Sequence, residues 1–189
     1  MNPLGAAAEL TIRQLPTAEL RGAEIGALRR LLDAAFGTDP EVGFSEDDWD
    51  HATGGVHFVA ERDGEIVGHA SVVERELQVG GRPLPTGYVE AVAVAPRLQG
   101  QGTGTAVMRQ VGALIKDRYH LGALGTGSHG FYERLGWMTW RGPPSVRAPD
   151  GEVPTPEDDG YIMVLATPAS PPLDLDAPIS CDWRHGDVW

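Results

Sequence analysis

Two stretches of the 189-residue sequence have the residue types and spacing that chemistry needs. The first is Gln99-Gly100-Gln101-Gly102-Thr103-Gly104, which follows the apolar run YVEAVAV from Tyr88 to Val94 and opens a helical pattern. Glycines let a backbone approach a ligand closely, and the unpaired N–H groups at a helix N-terminus point at an anion. A pyrophosphate suits such a place, although a glycine-rich strand-to-helix turn that binds nothing has the same composition. Two nucleotide readings fail on residue type. A P-loop needs a lysine that this stretch lacks, and the third glycine of a dinucleotide fingerprint falls on Thr105, with Gly104 one place early. The second stretch is the run itself, where Glu90 stands among apolar residues. Strand alternation puts Tyr88, Glu90, Val92 and Val94 on one face. A carboxylate partly withdrawn from water is a stronger base than a solvated one. The other reading of Glu90 is a glutamate salt-bridged at a strand edge.

The surrounding pattern supplies elements to position these residues. "AELTIRQL" alternates as a first strand, and Ile25, Leu28, Leu32, Ala35 and Phe36 recur at helical spacing. A breaker-rich acidic loop with Asp39 and Glu41 follows, and Ser45 can cap a short helix whose first turn holds Glu46, Asp47 and Asp48. From Val56 to Leu84 the sequence reads as antiparallel strands, turning at Asp63-Gly64 and Gly80-Gly81. The near-continuous apolar character of the Tyr88 strand predicts burial on both sides. A helix begins near Gly102, "LGALG" returns to the sheet, "HGFYERLGW" forms a short helix closed by Gly136, and "WMTW" is the strand beyond it. "RGPPSVRAPDGEVPTPEDDG" is expected to be a long loop, "YIMVLA" the final strand, and "TPASPPLDLDAP" a semi-rigid linker to the terminal "ISCDWRHGDVW".

Composition narrows the classes of function. A net charge of −12 disfavours nucleic acid and anionic lipid and favours a cationic partner. Neither a signal sequence nor a membrane span is expected, so the protein is read as cytoplasmic. Cys181 cannot build an internal disulfide framework and lacks a neighbouring base, so it reads as a buried small side chain. None of the six histidines has a two-histidine helical spacing, and no metal is expected.

The motifs, taken together, carry a resemblance. Gln99 to Gly104 resembles the (Arg/Gln)-x-x-Gly-x-(Gly/Ala) loop of the Gcn5-related N-acetyltransferases, and "FYERLGW" is similar to that family's Phe-Tyr-x-x-x-Gly-Phe element, in the same order. "GYVEAVAV", "YHLGAL", "GPPSVRAP", "TPEDDG" and "CDWRHGDVW" extend the likeness, from about residue 30 onward, to the aminoglycoside 2′-N-acetyltransferases of actinobacteria. The resemblance implies a single α+β domain with a central, mostly antiparallel twisted sheet flanked by helices. The length suits one domain, expected over residues 1–167, with 168–189 as a Pro-rich linker and C-terminal segment contributing to the substrate site. The resemblance implies acetyl-CoA as cosubstrate, a cationic aminoglycoside as acceptor, and a homodimer.

It also assigns roles. Glu90 is the general base acting through ordered water, and Tyr132 the general acid toward the departing thiolate. The Val92 N–H meets the thioester oxygen, the strand through Val94 pairs with pantetheine amides, and Gln99, Gly100, Gln101, Gly102, Thr103 and Gly104 cradle the pyrophosphate. The cationic sugar is met by Asp48, Glu90, Asp158, Asp187 and the Trp189 carboxylate. Asp39 joins them on the strength of its acidic loop alone, since Gly37 to Phe44 departs in length from the family. The segment 125–130 departs likewise, so Thr126 and Ser128 receive no substrate contact. Two other readings compete with drug acetylation. One keeps the chemistry with a polyamine or other cellular amine as acceptor; the other is a module that binds acyl-CoA or a drug without reacting.

Overall fold

Residues 9–39 and 43–189 are described by a computed structural model; Glu41 lies outside them. Strand β1 (Thr11–Pro16) leads into α1 (Gly22–Phe36), and Ser45 caps α2 (Glu46–Ala52) by accepting the Asp48 N–H at 3.1 Å. Then come β2 (Val56–Arg62), β3 (Glu65–Val79) and β4 (Arg82–Val94). Asp63 and Gly64 between β2 and β3, and Gly80 and Gly81 between β3 and β4, all have positive φ, as the two-residue turns predicted there require. Helix α3 (Thr103–Arg118), β5 (Leu121–Gly125), α4 (His129–Glu133) and β6 (Met138–Thr139) follow as the sequence predicts.

Beyond β6 the structure departs from expectation. The proline-rich stretch read as a loop forms a hairpin of β7 (Pro144–Ala148) and β8 (Gly151–Pro154). Its prolines stand where a strand tolerates them, at the start of β7 and the end of the edge strand β8. After β9 (Ile162–Ala166) a tenth strand, β10 (Ile179–Asp182), sits between β3 and β7, antiparallel to one and parallel to the other. The described residues thus form a ten-stranded sheet ordered β6-β9-β5-β4-β3-β10-β7-β8, with β2 and β1 beside the first half of β3.

Two irregularities of β4 shape the site. It pairs with β5 only over Thr86–Tyr88, so from Val89 to Val94 it has β3 on one side and, among the described residues, no partner strand on the other. It also carries a bulge, because Glu90 faces Ser71 and Ala93 faces His69, leaving Ala91 and Val92 opposite Ala70 alone. Ala91 sits there at φ 51°. A row of hydrogen bonds reaches this residue from behind. His69 Nδ1 lies 2.8 Å from the Ala91 carbonyl, His57 Nδ1 lies 2.9 Å from His69 Nε2, and Thr17 Oγ1 lies 2.8 Å from His57 Nε2. The carbonyl can only accept, so the row runs one way: the Thr17 hydroxyl donates to His57, His57 Nδ1–H to His69, and His69 Nδ1–H to Ala91. Burial lowers both imidazoles, to about 4 for His57 and about 3 for His69.

Two apolar clusters hold the sheet. Leu28, Leu31 and Leu32 of α1 share one with Val107, Val111, Leu114 and Ile115 of α3 and with Phe58, Val59 and Val89 of the strands. The other gathers Leu77, Leu84, Tyr88, Trp140 and Val164 and is completed by Ile179, Cys181 and Trp189. No helix among the described residues is long and apolar enough to cross a membrane.

Candidate active site

The opening between β4 and β5 broadens into a cleft of about 810 Å³. Its floor is the unpaired edge Val89–Val94, and one end is the loop before α3. Gly100 and Gly102 adopt φ of 74° and 88°, a left-handed conformation that suits glycine, and Gly102 is the N-cap of α3. The first acceptor bond of the helix is the Ala106 N–H to the Gly102 carbonyl at 2.9 Å, and no side chain caps the turn. The N–H groups of Thr103, Gly104 and Thr105 therefore stay available to an anion at this end of the cleft.

Glu90 lines the middle of the cleft with its side chain only 15% exposed. Burial pushes its carboxyl above the ordinary glutamate range; Arg184, then Arg75, pull it back, and Asp187 adds to the rise. The expected alternation of the strand fails at the bulge. Val73, Ser71 and His69 share a face of β3, so their partners Tyr88, Glu90 and Ala93 share a face of β4, and the one-residue slip turns Val92 and Val94 to the other. Both valines still line the cleft. Tyr132, on α4, lines it from the far side, and burial raises its phenol to about 12. Its ring meets Phe131 and Trp137 edge-on, which locks the FYERLGW element.

The remaining predicted residues divide. Gln99, Asp48, Asp187 and Trp189 line the cleft with Gly100, Gly102 and Gly104. Asp48 also closes the cap of α2, accepting from the Ser45 N–H and hydroxyl at 2.8 Å each. Gln101 does not line the cleft and donates to the Arg97 carbonyl at 2.9 Å, while the Thr103 side chain is buried under the first turn of α3. Asp158 is half-buried and does not line the cleft; burial raises its carboxyl, a Thr155 hydrogen bond opposes the rise, and Asp187 adds to it. Asp39 is exposed on the loop after α1 and does not line the cleft. Thr126 and Ser128, which the sequence reading left unassigned, do line it.

The sequence reading missed three further residues. Arg184 Nη1 lies 2.5 Å from Glu90 Oε1. Arg75, 7% exposed on β3, donates to Asp182 Oδ1 at 3.0 Å, to the Asp182 carbonyl at 2.8 Å and to the Val188 carbonyl at 2.9 Å. The guanidinium groups of Arg75 and Arg184 lie 4.8 and 5.5 Å from the ring centre of Tyr88. Tyr88 is buried and lines the cleft, and its hydroxyl has no hydrogen-bond partner among the described residues. Pairs such as Arg184 with Glu90 and Arg75 with Asp182, 94 and 107 residues apart, leave no local signal; the only cue was the charge within the terminal "DWRHGD".

A cleft with a buried carboxylate, an anion-receptive helix end and an acidic wall suits a reaction between a cationic amine and a phosphorylated donor. Comparison with known proteins points the same way. Residues 17–139 match the family model described as an Acetyltransferase (GNAT) domain. The aminoglycoside 2′-N-acetyltransferase of Mycolicibacterium fortuitum is 43% identical over 183 residues, covering 95% of this chain and 92% of that protein. Two solved structures share the fold at low identity. The Escherichia coli GNAT family N-acetyltransferase YhbS, in complex with CoA, superposes with a TM-score of 0.65 at 17% identity, over 93% of this chain and 91% of that one. A Brucella melitensis GNAT family acetyltransferase in complex with acetyl-CoA gives 0.59 at 22%, over 88% and 93%. Some other structures with the fold are longer chains, of which this one spans about a third.

Proposed function

From the premise that this chain belongs to the GNAT acetyltransferase family, we propose that it transfers acetyl from acetyl-CoA to the 2′-amino group of aminoglycosides. The observation that carries this reading is Glu90, a buried carboxylate at a bulge, facing the same cleft as the open N-terminus of α3 and the acidic residues Asp48 and Asp187. The unpaired edge Val89–Val94 offers main-chain groups to a pantetheine, and the loop Gly100–Gly104 with the first turn of α3 offers N–H groups to a pyrophosphate. These residues fit the coenzyme A part of acetyl-CoA, which would supply an acetyl group already activated as a thioester.

An aminoglycoside amine is largely ammonium at neutral pH and cannot attack until it loses a proton. Glu90 takes that proton through ordered water. Its burial raises its basicity, and the neighbouring Arg184 and Arg75 oppose that rise. The Val92 N–H, in the bulge where it faces no ladder partner of its own, meets the negative charge that grows on the acyl oxygen. The Tyr132 hydroxyl, protonated at any physiological pH, gives its proton to the departing sulfur. Asp48, Asp158 and Asp187 gather negative charge around the acceptor, a pattern that suits a polycation. Acetylation removes one positive charge from the drug, and resistance would follow from that loss. We place the reaction in the cytoplasm, take the acting unit as a homodimer by family analogy, and read residues 168–189 as part of the acceptor wall.

The test is thiol release from acetyl-CoA with aminoglycosides that carry either a 2′-amine or a 2′-hydroxyl. Release only with the 2′-amine compounds is expected. Equal release with both would refute the regiochemistry. Coenzyme A binding with no release from either would redirect the search to cellular amines or to a binding module.

A further inference from the structure

Arg184 lies two residues beyond β10, yet its side chain is only 14% exposed and all of its placed hydrogen bonds point at the site. Nη1 donates to Glu90 Oε1 at 2.5 Å, Nε donates to the Asp187 carbonyl at 2.7 Å, and Nη2 reaches the Trp189 main-chain oxygen at 3.3 Å. The Asp187 carboxylate in turn accepts the Trp189 N–H at 3.2 Å, while Trp189 Nε1 donates to Thr155 Oγ1 at 3.0 Å. One guanidinium thus joins the carboxylate on β4 to the turn that brings Asp187 and Trp189 to the cleft wall. The turn has further fastenings: within it the Val188 carbonyl accepts from Arg75 at 2.9 Å and from the Cys181 thiol at 3.3 Å. These bonds hold the turn to β3 and β10 but do not reach Glu90, whose carboxylate has no other side-chain donor than Arg184 among the described residues.

We propose that Arg184 is a positioning residue for the acetyl-transfer site: its planar fork orients the Glu90 carboxylate and holds the Asp187–Trp189 turn against it. Base and acidic wall are then assembled by one side chain. This rests on the reading of Glu90 as the base. A cation inside a site for polycations opposes binding by simple charge, which gives its presence a measurable signature. Removing it should not improve acceptor binding, because the turn that carries Asp187 loses its bonds at the Asp187 and Trp189 main-chain oxygens and its tie to Glu90.

The charged and titratable groups around Glu90 are Arg184 and Asp187 from the tail, Arg75 from β3 and Tyr88 from β4. Of these Arg184 pulls the Glu90 carboxyl down most, so its removal leaves burial less opposed and the carboxyl titrates at higher pH. An opposite charge at this separation holds a carboxylate down by about 1–3 pH units. An ammonium can keep the charge but cannot bridge three acceptors in fixed directions.

The experiment compares the intact chain with Arg184→Gln, Arg184→Lys and Glu90→Gln, each first shown by coenzyme A titration to retain the cofactor site. The Glu90 carboxyl carbon, identified by its absence from the Glu90→Gln spectrum, is titrated by carbon-13 NMR, and KM is measured for a 2′-amine acceptor and for acetyl-CoA. In Arg184→Gln the Glu90 midpoint should rise by about one pH unit or more, and acceptor KM by roughly tenfold, with acetyl-CoA KM unchanged. Arg184→Lys should restore the midpoint and leave acceptor KM high. An unmoved midpoint in Arg184→Gln with unchanged acceptor KM overturns the proposal, as does full recovery of both by lysine, which would reduce Arg184 to a point charge. Normal turnover by Glu90→Gln is a separate failure, since it removes the base itself and the proposal with it.

Discussion

Tyr132 carries its hydroxyl at the edge of a buried aromatic group, and burial pushes its pKa to about 12. A phenol held that high is a donor throughout the working range and titrates only far above it. General acid catalysis by one group contributes about 10²–10⁴-fold. Tyr132→Phe is therefore expected to lower kcat by about a hundredfold with coenzyme A affinity unchanged, and the pH profile of the intact enzyme should show no loss of activity attributable to this tyrosine below about pH 10. Steady-state kinetics with an isothermal titration of coenzyme A would check both. Unchanged kcat would return Tyr132 to the role of a core side chain.

At the scale of elements, the bulge in β4 depends on what stands behind it. His57 and His69 act in the row from Thr17 to Ala91 only as neutral rings, because each Nε2 accepts while each Nδ1–H donates. Their folded pKa values, about 4 and about 3, lie below the ordinary value of 6.5. Protonation therefore favours the unfolded chain. The stability these rings contribute is complete above pH 6.5 and is lost as pH falls from 6.5 toward 4, at roughly 1.4 kcal/mol per pH unit for each ring. Tm measured from pH 8 to pH 5 should be level in the upper part and decline below 6.5, and replacing His69 with Gln should flatten that decline. A Tm that stays level to pH 5 in the intact chain would show that the rings are not held neutral.

At the scale of the whole molecule, the net charge of −12 and the acidic wall act together on a cationic acceptor. Attraction of this kind is long-range and is screened by salt, with a Debye length of about 10 Å at 0.1 M and 3 Å at 1 M. Raising ionic strength from 50 mM to 0.5 M should lower kcat/KM for an aminoglycoside several-fold through its KM, while the KM for the anionic acetyl-CoA stays level or falls. A salt-independent acceptor KM would assign the acidity to solubility alone.

Features written in consecutive residues were legible before any coordinates: the amphipathic α1, the hairpins at Asp63-Gly64 and Gly80-Gly81, the glycine loop before α3, and the FYERLGW element closed by Gly136. Each is decided by local periodicity or by a glycine's freedom at positive φ, and such signals survive without tertiary context. Three things were decided only by the fold. The bulge at Ala91 slips the strand phase, because a histidine from β2 and another from β3 meet behind it. The tail enters the sheet as β10 because Ile179 and Cys181 complete an apolar cluster supplied by distant strands. Arg184 reaches Glu90 across 94 residues of sequence. Contacts of that span leave no trace in spacing, since they depend on which surfaces the packed core brings together.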